Sequence, residues 1–465
     1  MSGSPGFKMY TASYKRKRRY LGILSVLIMI FSVLTSCSSD YSNGTDISGL
    51  QELPERDLMK NISPGPIPEK LPDETFYTMV NDFASRLFIE LYAQGENIAV
   101  SPVSVLQSVL LAANGASGKS RDEIINSIDR SMEIDTLNSY MATYSNNLKA
   151  EHDASMSVSV WAYRTSDNIT PVKSFLQLSV DYYLGRAYLL ELAEDYTQLV
   201  SEWMTDYAGI KNINGLDILS PSDAKAVNLI GMLTGSFAWK TPFESMEIGV
   251  FSGGESSYDV NYLVSHETAY ISYSYASGIL KELDNGMSMA LLKPDHGFSL
   301  ETVILHISAS RLSRIYESVE YKNTMKVKVP EFSFSGSPDI VSALEGCGVS
   351  TVFDDLNSDI GNMFGGDSRM YLGSIINPIK FSFSAGGVSL DGTKVSSGLG
   401  EGGGSAEEGG EQYDEIVFDT PFMYILFDAS GCPVVMGKVE IPNTVISLPD
   451  NITPETGAGV VPDLE

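Results

Sequence analysis

Two strand-like runs near the end of the chain, "IKFSFSAGGVSL" (379–390) and "EIVFDTPFMYILFD" (415–428), are separated by "LDGTKVSSGLGEGGGSAEEGGEQY" (390–413). Both flanks are rich in β-branched and aromatic residues or alternate apolar with polar ones, as strands do. The stretch between them has eight glycines and almost nothing that could hold a core. A structureless loop of about 20 residues inside a compact domain is uncommon, and such loops are usually functional or disordered. The chain must therefore close its core around a long, flexible, acidic loop.

Enough apolar material is present for that core, since 43 % of the 465 residues are hydrophobic. The net charge is −28, and the first 36 residues hold six bases and no acid, so the remainder is more acidic still. Such a charge repels phosphate backbones and argues against nucleic-acid binding; it serves solubility.

The basic cluster "YKRKRRY" (14–20) precedes the uncharged run "LGILSVLIMIFSVL" (21–34). That run is too short for a comfortable spanning helix of roughly 20 residues and fits a secretory signal. "LTSC" (34–37) resembles the bacterial lipobox, which makes Cys37 the lipidated N-terminus after residues 1–36 are removed. Acyl chains on Cys37 would anchor the protein to a membrane. Residues 37–73 are polar and proline-containing and read as a flexible tether. Cys347 and Cys432 are expected as independent thiols, and the four histidines show no metal-ligand spacing, so no cofactor is expected.

From about 75 to 442 the composition is steady, with no break marking a second domain and no internal repeat. Apolar spacing predicts helices over 74–93, 172–185 and 193–208, and a strand, turn and helix over 97–115 with helix resuming near Arg121. "SMSVSVWAYR" (155–164) alternates as a strand, and "AKAVNLIGMLTGSFAW" (224–239) reads as a buried one. Strands dominate from 257 onward, with one helix at "SPDIVSALEGCG" (337–348). Helices first and strands later indicate α+β. "GASGKS" (115–120) is not a phosphate loop, because Ala113 stands where the motif needs glycine. Ser405 lacks the second glycine of a nucleophile elbow and a supporting base, and Glu407 and Glu408 sit in the glycine-rich loop, where a general acid would not be held. No enzyme chemistry emerges.

Five segments in order resemble the serpin family: "NIAVSPVSVLQSVLLAANGASGKSRDEI", "VSEWMTDYAGIKNI", "AVNLIGMLTGSFAWKTPF", "KVKVPEFSFSGSPDIVSALEGCGVSTVFD" and "FDTPFMYILFDASGCPVVMGKVEIP". The resemblance covers 74–442 and implies a serpin fold: α+β, mixed sheets, a helical N-terminal half and an exposed reactive loop at about 390–414. It implies a protease inhibitor whose loop is cleaved as bait. The freed loop then enters the large central sheet as a new strand, driven by stored strain.

The residues that the resemblance marks are these. The hinge maps to Gly392, Thr393, Lys394, Val395, Ser396, Ser397 and Gly398, with Lys394 where the family has an acid. The polar cluster beneath the opening strands maps to Ser101, Ser104 and Asn228, with Ser382 replacing the family's histidine. Trp239 marks the top of the opening, and the family's acid before the hinge maps near Leu390. If Thr393 faces the core, alternation turns Val395, Ser397, Leu399 and Glu401 inward too, and an inward Glu401 is costly. Counting from Gly392 puts the scissile bond at Ala406–Glu407, with Glu407, Glu408 and Tyr413 as further candidates; counting back from Pro421 gives Gly410–Glu411. Alanine before the bond suits an elastase-like protease. The expected protein is a monomeric, lipid-anchored inhibitor of serine or papain-like cysteine endopeptidases on the bacterial envelope. The alternative is a non-inhibitory serpin acting as a binding or scaffold surface lipoprotein. Residues 443–465 extend past the last recognisable strand.

Overall fold

The structure is a computed structural model that describes residues 56–444 except 165–168, 215, 217–222, 255, 308, 367–368 and 397–412, and only the backbone at 309–311. Three helices matter for the site. Helix α1 (Glu74–Leu91) starts where the Asp73 carboxylate accepts the N–H groups of Thr75 and Phe76, an N-cap that satisfies orphan donors. It buries Phe76, Val80, Phe83, Leu87 and Phe88 at helical spacing. Helix α2 (Pro102–Gly115) is capped by Ser101 with proline at its first position. Almost all of α2 is buried, so it lies inside the fold rather than on it. Helix α3 (Tyr196–Asp206) is capped by Asp195.

Eight strands build the central surface. They are β1 (Ser155–Tyr163), β2 (Arg186–Leu190), β3 (Ala226–Thr234), β4 (Ser236–Ala238), β5 (Phe332–Gly336), β6 (Tyr371–Ile376), β7 (Ile379–Ser384) and β8 (Gly387–Ser389). In one four-stranded sheet the order is β6-β3-β1-β2, and in another it is β5-β7-β8-β4. The two are joined by continuous chain, since β3 runs through Gly235 into β4 and β6 runs through Asn377–Pro378 into β7. At one end β3 and β6 pair directly and in parallel, from Tyr371↔Ala226 to Ile376↔Ile230. At the other end β8 lies between their continuations.

Every residue of β3 is buried, as befits a strand covered on both faces. Helix α2 approaches it at Gly231, where a Cβ would sit 2.1 Å from Ser108 Oγ and 2.8 Å from Ser104 O. The remaining large sheet has nine strands and includes Ser256–Tyr273, Val319–Pro330, Phe422–Phe427 and Pro433–Val439.

Three local expectations change. The run 224–239 is two strands broken at Gly235 rather than one. Two further helices, Leu300–Leu305 and Ala309–Glu317, precede the one expected in that half, which forms at Ile340–Gly346; Ser299 caps the first, and Leu300, Val303 and Ile304 form its buried face. From Arg56 the polar segment expected as a tether is bonded to the fold. Leu58 N donates to Ala187 O, Leu189 N donates to Arg56 O and Met59 is buried, so this segment covers the edge of β2. The tether expectation thus narrows to the residues before Arg56, which lie outside the described residues with Cys37.

Candidate functional site

The loop that begins the sequence argument enters the fold as a strand. After β7 the chain turns at Ala385–Gly386 and runs back as β8, antiparallel to β7 (Ser382↔Ser389, Phe383↔Val388, Ser384↔Gly387). On its other side β8 pairs antiparallel with β4 (Gly387↔Ala238, Val388↔Phe237, Ser389↔Ser236). Leu390 N continues the ladder to Gly235 O at 2.7 Å. Trp239 closes the top: its backbone N–H donates to Gly386 O and its indole N–H to Ser384 O, each at 2.9 Å.

Alternation gives β8 two faces. Val388 and Leu390 are fully buried in the main core with Phe237 and Phe383. Ser389 and Asp391 point the other way, toward the segment that follows α3. There Asp391 is 3 % exposed and its carboxylate gathers five partners. Lys211 Nζ lies 2.7 Å from Oδ2. Oδ1 accepts from Ser236 Oγ at 3.1 Å, Ser389 Oγ at 2.8 Å, Thr393 N at 3.0 Å and Thr393 Oγ1 at 2.5 Å. Burial opposes the charge, but Lys211 and these donors outweigh it and hold the Asp391 pKa down at about 2.

Gly392 then turns the chain out with φ +80, where a Cβ would meet Asn212 O at 2.6 Å. Lys394 pairs with Glu331 at 2.9 Å, and Val395 O accepts from Ser384 Oγ at 3.2 Å. The chain has thus doubled back over the turn it came from.

Below β8 the sheet is closed by a polar cluster. Asn377 Nδ2 donates to Ser104 Oγ at 2.7 Å and to Gly231 O at 2.8 Å, and its Oδ1 accepts from Ser101 N at 3.0 Å. One buried amide therefore links α2, β3 and the junction of β6 with β7.

The family model for "Serpin (serine protease inhibitor)" matches residues 78–442. The chain belongs to the serpin family. Among curated relatives of this serpin, mouse (Mus musculus) neuroserpin is 22 % identical over 399 residues, covering 80 % of this chain and 92 % of neuroserpin. The native state of the thermophilic serpin tengpin superposes with a TM-score of 0.74 at 22 % identity, over 83 % of this chain and 99 % of tengpin. Human thyroxine-binding globulin in complex with its ligand gives a TM-score of 0.65 at 17 % identity, over 79 % and 98 % of the two chains. These structures share the α+β serpin fold. The family is described as one of serine protease inhibitors, which are not enzymes.

Against that fold, the site residues expected from sequence fall into three groups. Ser101 and Ser104 lie at the start of α2, where Ser101 Oγ accepts from Ser104 N at 3.4 Å as the helix cap. Trp239 sits at the top of the opening. Asn228 lies further along β3 and accepts from Ser374 Oγ at 2.6 Å. The partner of Ser101 and Ser104 is Asn377, not Ser382, which stands in β7 opposite Ser333 and Ser389. The substitute was misplaced because the break at Asn377–Pro378 interrupts the strand, and no periodicity marks it.

The serpin's strand entry also differs from the expected hinge. Pairing starts at Gly387, and Gly392 to Ser396 are where the chain leaves the sheet. The inward set is Val388 and Leu390, so a strand extended in that register would turn Lys394 inward and Thr393 outward, the reverse of the conditional alternation above; Glu401 lies outside the described residues. A signal existed in sequence: "FSFS" and "GVSL" flank a two-residue Ala-Gly step, a hairpin pattern. Ser397, Gly398, Ala406, Glu407 and Glu408 lie outside the described residues.

Proposed function

We propose that this serpin is an extracytoplasmic suicide inhibitor of serine or papain-like cysteine endopeptidases, anchored by a lipid on Cys37. The observation that carries the reading is β8. The segment leading into the exposed loop is already hydrogen-bonded between β4 and β7, so a cleaved loop has a started strand to extend. The protease nucleophile attacks the scissile carbonyl, the new amine leaves with the C-terminal part, and the acyl-enzyme stays on the loop. Continued pairing from Asp391 onward would carry that enzyme along the sheet before water reaches the ester.

The scissile bond is proposed at Ala406–Glu407, with the bonds after Glu407 and Glu408 next. The span that runs from Gly392 to Ala406 ends at Glu401 when it starts from the strand entry at Gly387, which adds Glu401–Gly402. Alanine favours an elastase-like enzyme and glutamate a glutamate-specific one. Incubation of the chain from Cys37 onward with each, followed by denaturing gels and mass spectrometry, tests the reading. A denaturation-resistant complex and a released C-terminal peptide are expected, and the peptide's first residue names the bond. Cleavage without complex, by every protease that cuts the loop, contradicts it.

A second reading has its own support. Extension of β8 would bring the charged Lys394 to the core side and set Thr393 against Pro378, which offers no N–H to a neighbouring strand. Both oppose a full insertion and favour a non-inhibitory serpin that uses the fold as a binding surface, as thyroxine-binding globulin does by its complex. Cleavage with no complex and no gain in thermal stability is its expected outcome.

A further inference from the structure

We infer that four side chains act as a two-sided stop that sets how deeply the uncleaved loop sits in the central sheet: Asp391 with Lys211 resists withdrawal, and Lys394 with Glu331 resists advance. The inference rests on the reading that the loop travels into the sheet, and it adds what fixes the starting point.

Withdrawal is opposed first. To leave the sheet, the chain must free Asp391 from Lys211 Nζ at 2.7 Å, and Lys211 N from Asp391 O at 2.8 Å. The same movement strips Ser236 and Ser389 of a shared acceptor. Asp391 directly follows Leu390, whose N–H makes the last ladder bond, so this anchor sits just past the tip of the strand, where fraying would otherwise begin.

Advance is opposed by the next residues. The Gly392 turn is closed by Thr393 N and Oγ1 on Asp391 Oδ1, and it must unwind to extended backbone. Continuing the registers Ser384↔Gly387 and Gly387↔Ala238 places Lys394 opposite Asn377 and Gly231. That is where Asn377 Nδ2 now bridges to Gly231 O above Ser104. Lys394 shares the parity of Val388 and Leu390, so its ammonium would enter the core side beside α2, which holds no acidic residue, at heavy desolvation cost. In the present position it is 65 % exposed and paired with Glu331. The seated segment, Gly387 to Leu390, is thus bounded on both sides by charge.

The two lysines are exposed, so replacing either leaves the fold's core untouched. Amide hydrogen exchange of the uncleaved full chain reads the depth directly. Lys211→Met is expected to speed exchange across 388–391 at least about tenfold, as the strand tip frays. Lys394→Ser is expected to slow exchange across 392–396 at least about tenfold after incubation, with a rise in thermal midpoint, while Lys394→Arg stays at the wild-type rate. Simple loss of an ion pair would quicken exchange at 392–396, so the sign separates a stop from a structural contact. Unchanged or faster exchange at 392–396 in Lys394→Ser, or unchanged exchange at 388–391 in Lys211→Met, overturns the inference. The protease gel is read beside it. Opposite shifts in the two variants with no complex uphold the stop and defeat the inhibitor reading. A complex with unshifted variants does the reverse.

Discussion

Asn377 Nδ2 lies 2.7 Å from Ser104 Oγ, and the same nitrogen reaches Gly231 O on the strand across the gap. A buried amide with both ends used is worth more to the fold than its area, because removing it strands every partner. Asn377→Ala leaves the Ser101 N–H and the Gly231 carbonyl without it. The expected loss is about 2–4 kcal/mol of unfolding free energy, read from the shift in urea midpoint at constant slope. A change within about 0.5 kcal/mol would mean that the cluster does not hold the sheet closed.

Gly231 tests how tightly α2 is pressed on β3. Its backbone is ordinary, but a Cβ would meet Ser108 Oγ at 2.1 Å and the Ser104 carbonyl at 2.8 Å. The hydroxyl can rotate; the carbonyl cannot move without shifting the helix. Gly231→Ala is expected to cost about 1–3 kcal/mol, and pairing it with Ser108→Ala should recover only part. Full recovery would show that the helix carbonyl is not the limiting contact.

Two carboxylates stand out on the acid limb of the stability profile by the size of their downward shifts. Asp391 is held at about 2 against a usual 3.8, and Glu123, despite its burial, is held at about 2 against 4.5 by Thr351 and Ser350. Both folded-state values are depressed, so their stabilisation is complete above the unfolded values and is lost as pH falls toward 2. By this linkage Asp391 contributes on the order of 2–3 kcal/mol at neutral pH and Glu123 on the order of 3–4 kcal/mol. Asp391→Asn and Glu123→Gln should each flatten the profile between pH 5 and about pH 2, measured by thermal midpoint. An unchanged slope in both variants would remove these groups from the account.

Lys281 is buried beneath Trp239 and Phe243, with its ammonium 4.4 Å from the Phe243 ring centre and paired to Glu267. Burial pushes its pKa down, and Glu267 opposes that shift. Removing one partner of a buried pair is worse than removing the charge that needs it. Glu267→Gln is expected to cost about 3–5 kcal/mol, and the double variant Lys281→Met with Glu267→Gln much less. Equal losses in the two proteins would contradict the pairing as the source of the cost.

Much of this was legible in sequence, and the failures have physical reasons. Helix α1 is visible because its apolar spacing is uninterrupted, and β3 because a strongly apolar run, polar only at Asn228 and Thr234, suits a strand buried on both faces. The helices at 300–317 were missed although Ser299 and the spacing of Leu300, Val303 and Ile304 announced the first of them. Asn377 was missed because side chains that close a sheet meet across distant segments, and Pro378 resets the strand just where counting along it would locate the partner. The facing that an extended strand would give Lys394 turns on a single residue of register. In a strand, one residue exchanges the two faces, and only the burial of Val388 and Leu390 fixes which is which.

Amide exchange across 387–396 of the wild-type, uncleaved chain reads whether β8 is seated. Amides of 388–391 are expected to exchange at rates like those of β3, at least about a hundredfold slower than those of 393–396. Exchange at 388–391 as fast as at 393–396 would mean that no strand is seated between β4 and β7, and the started insertion on which the proposed function rests would be gone.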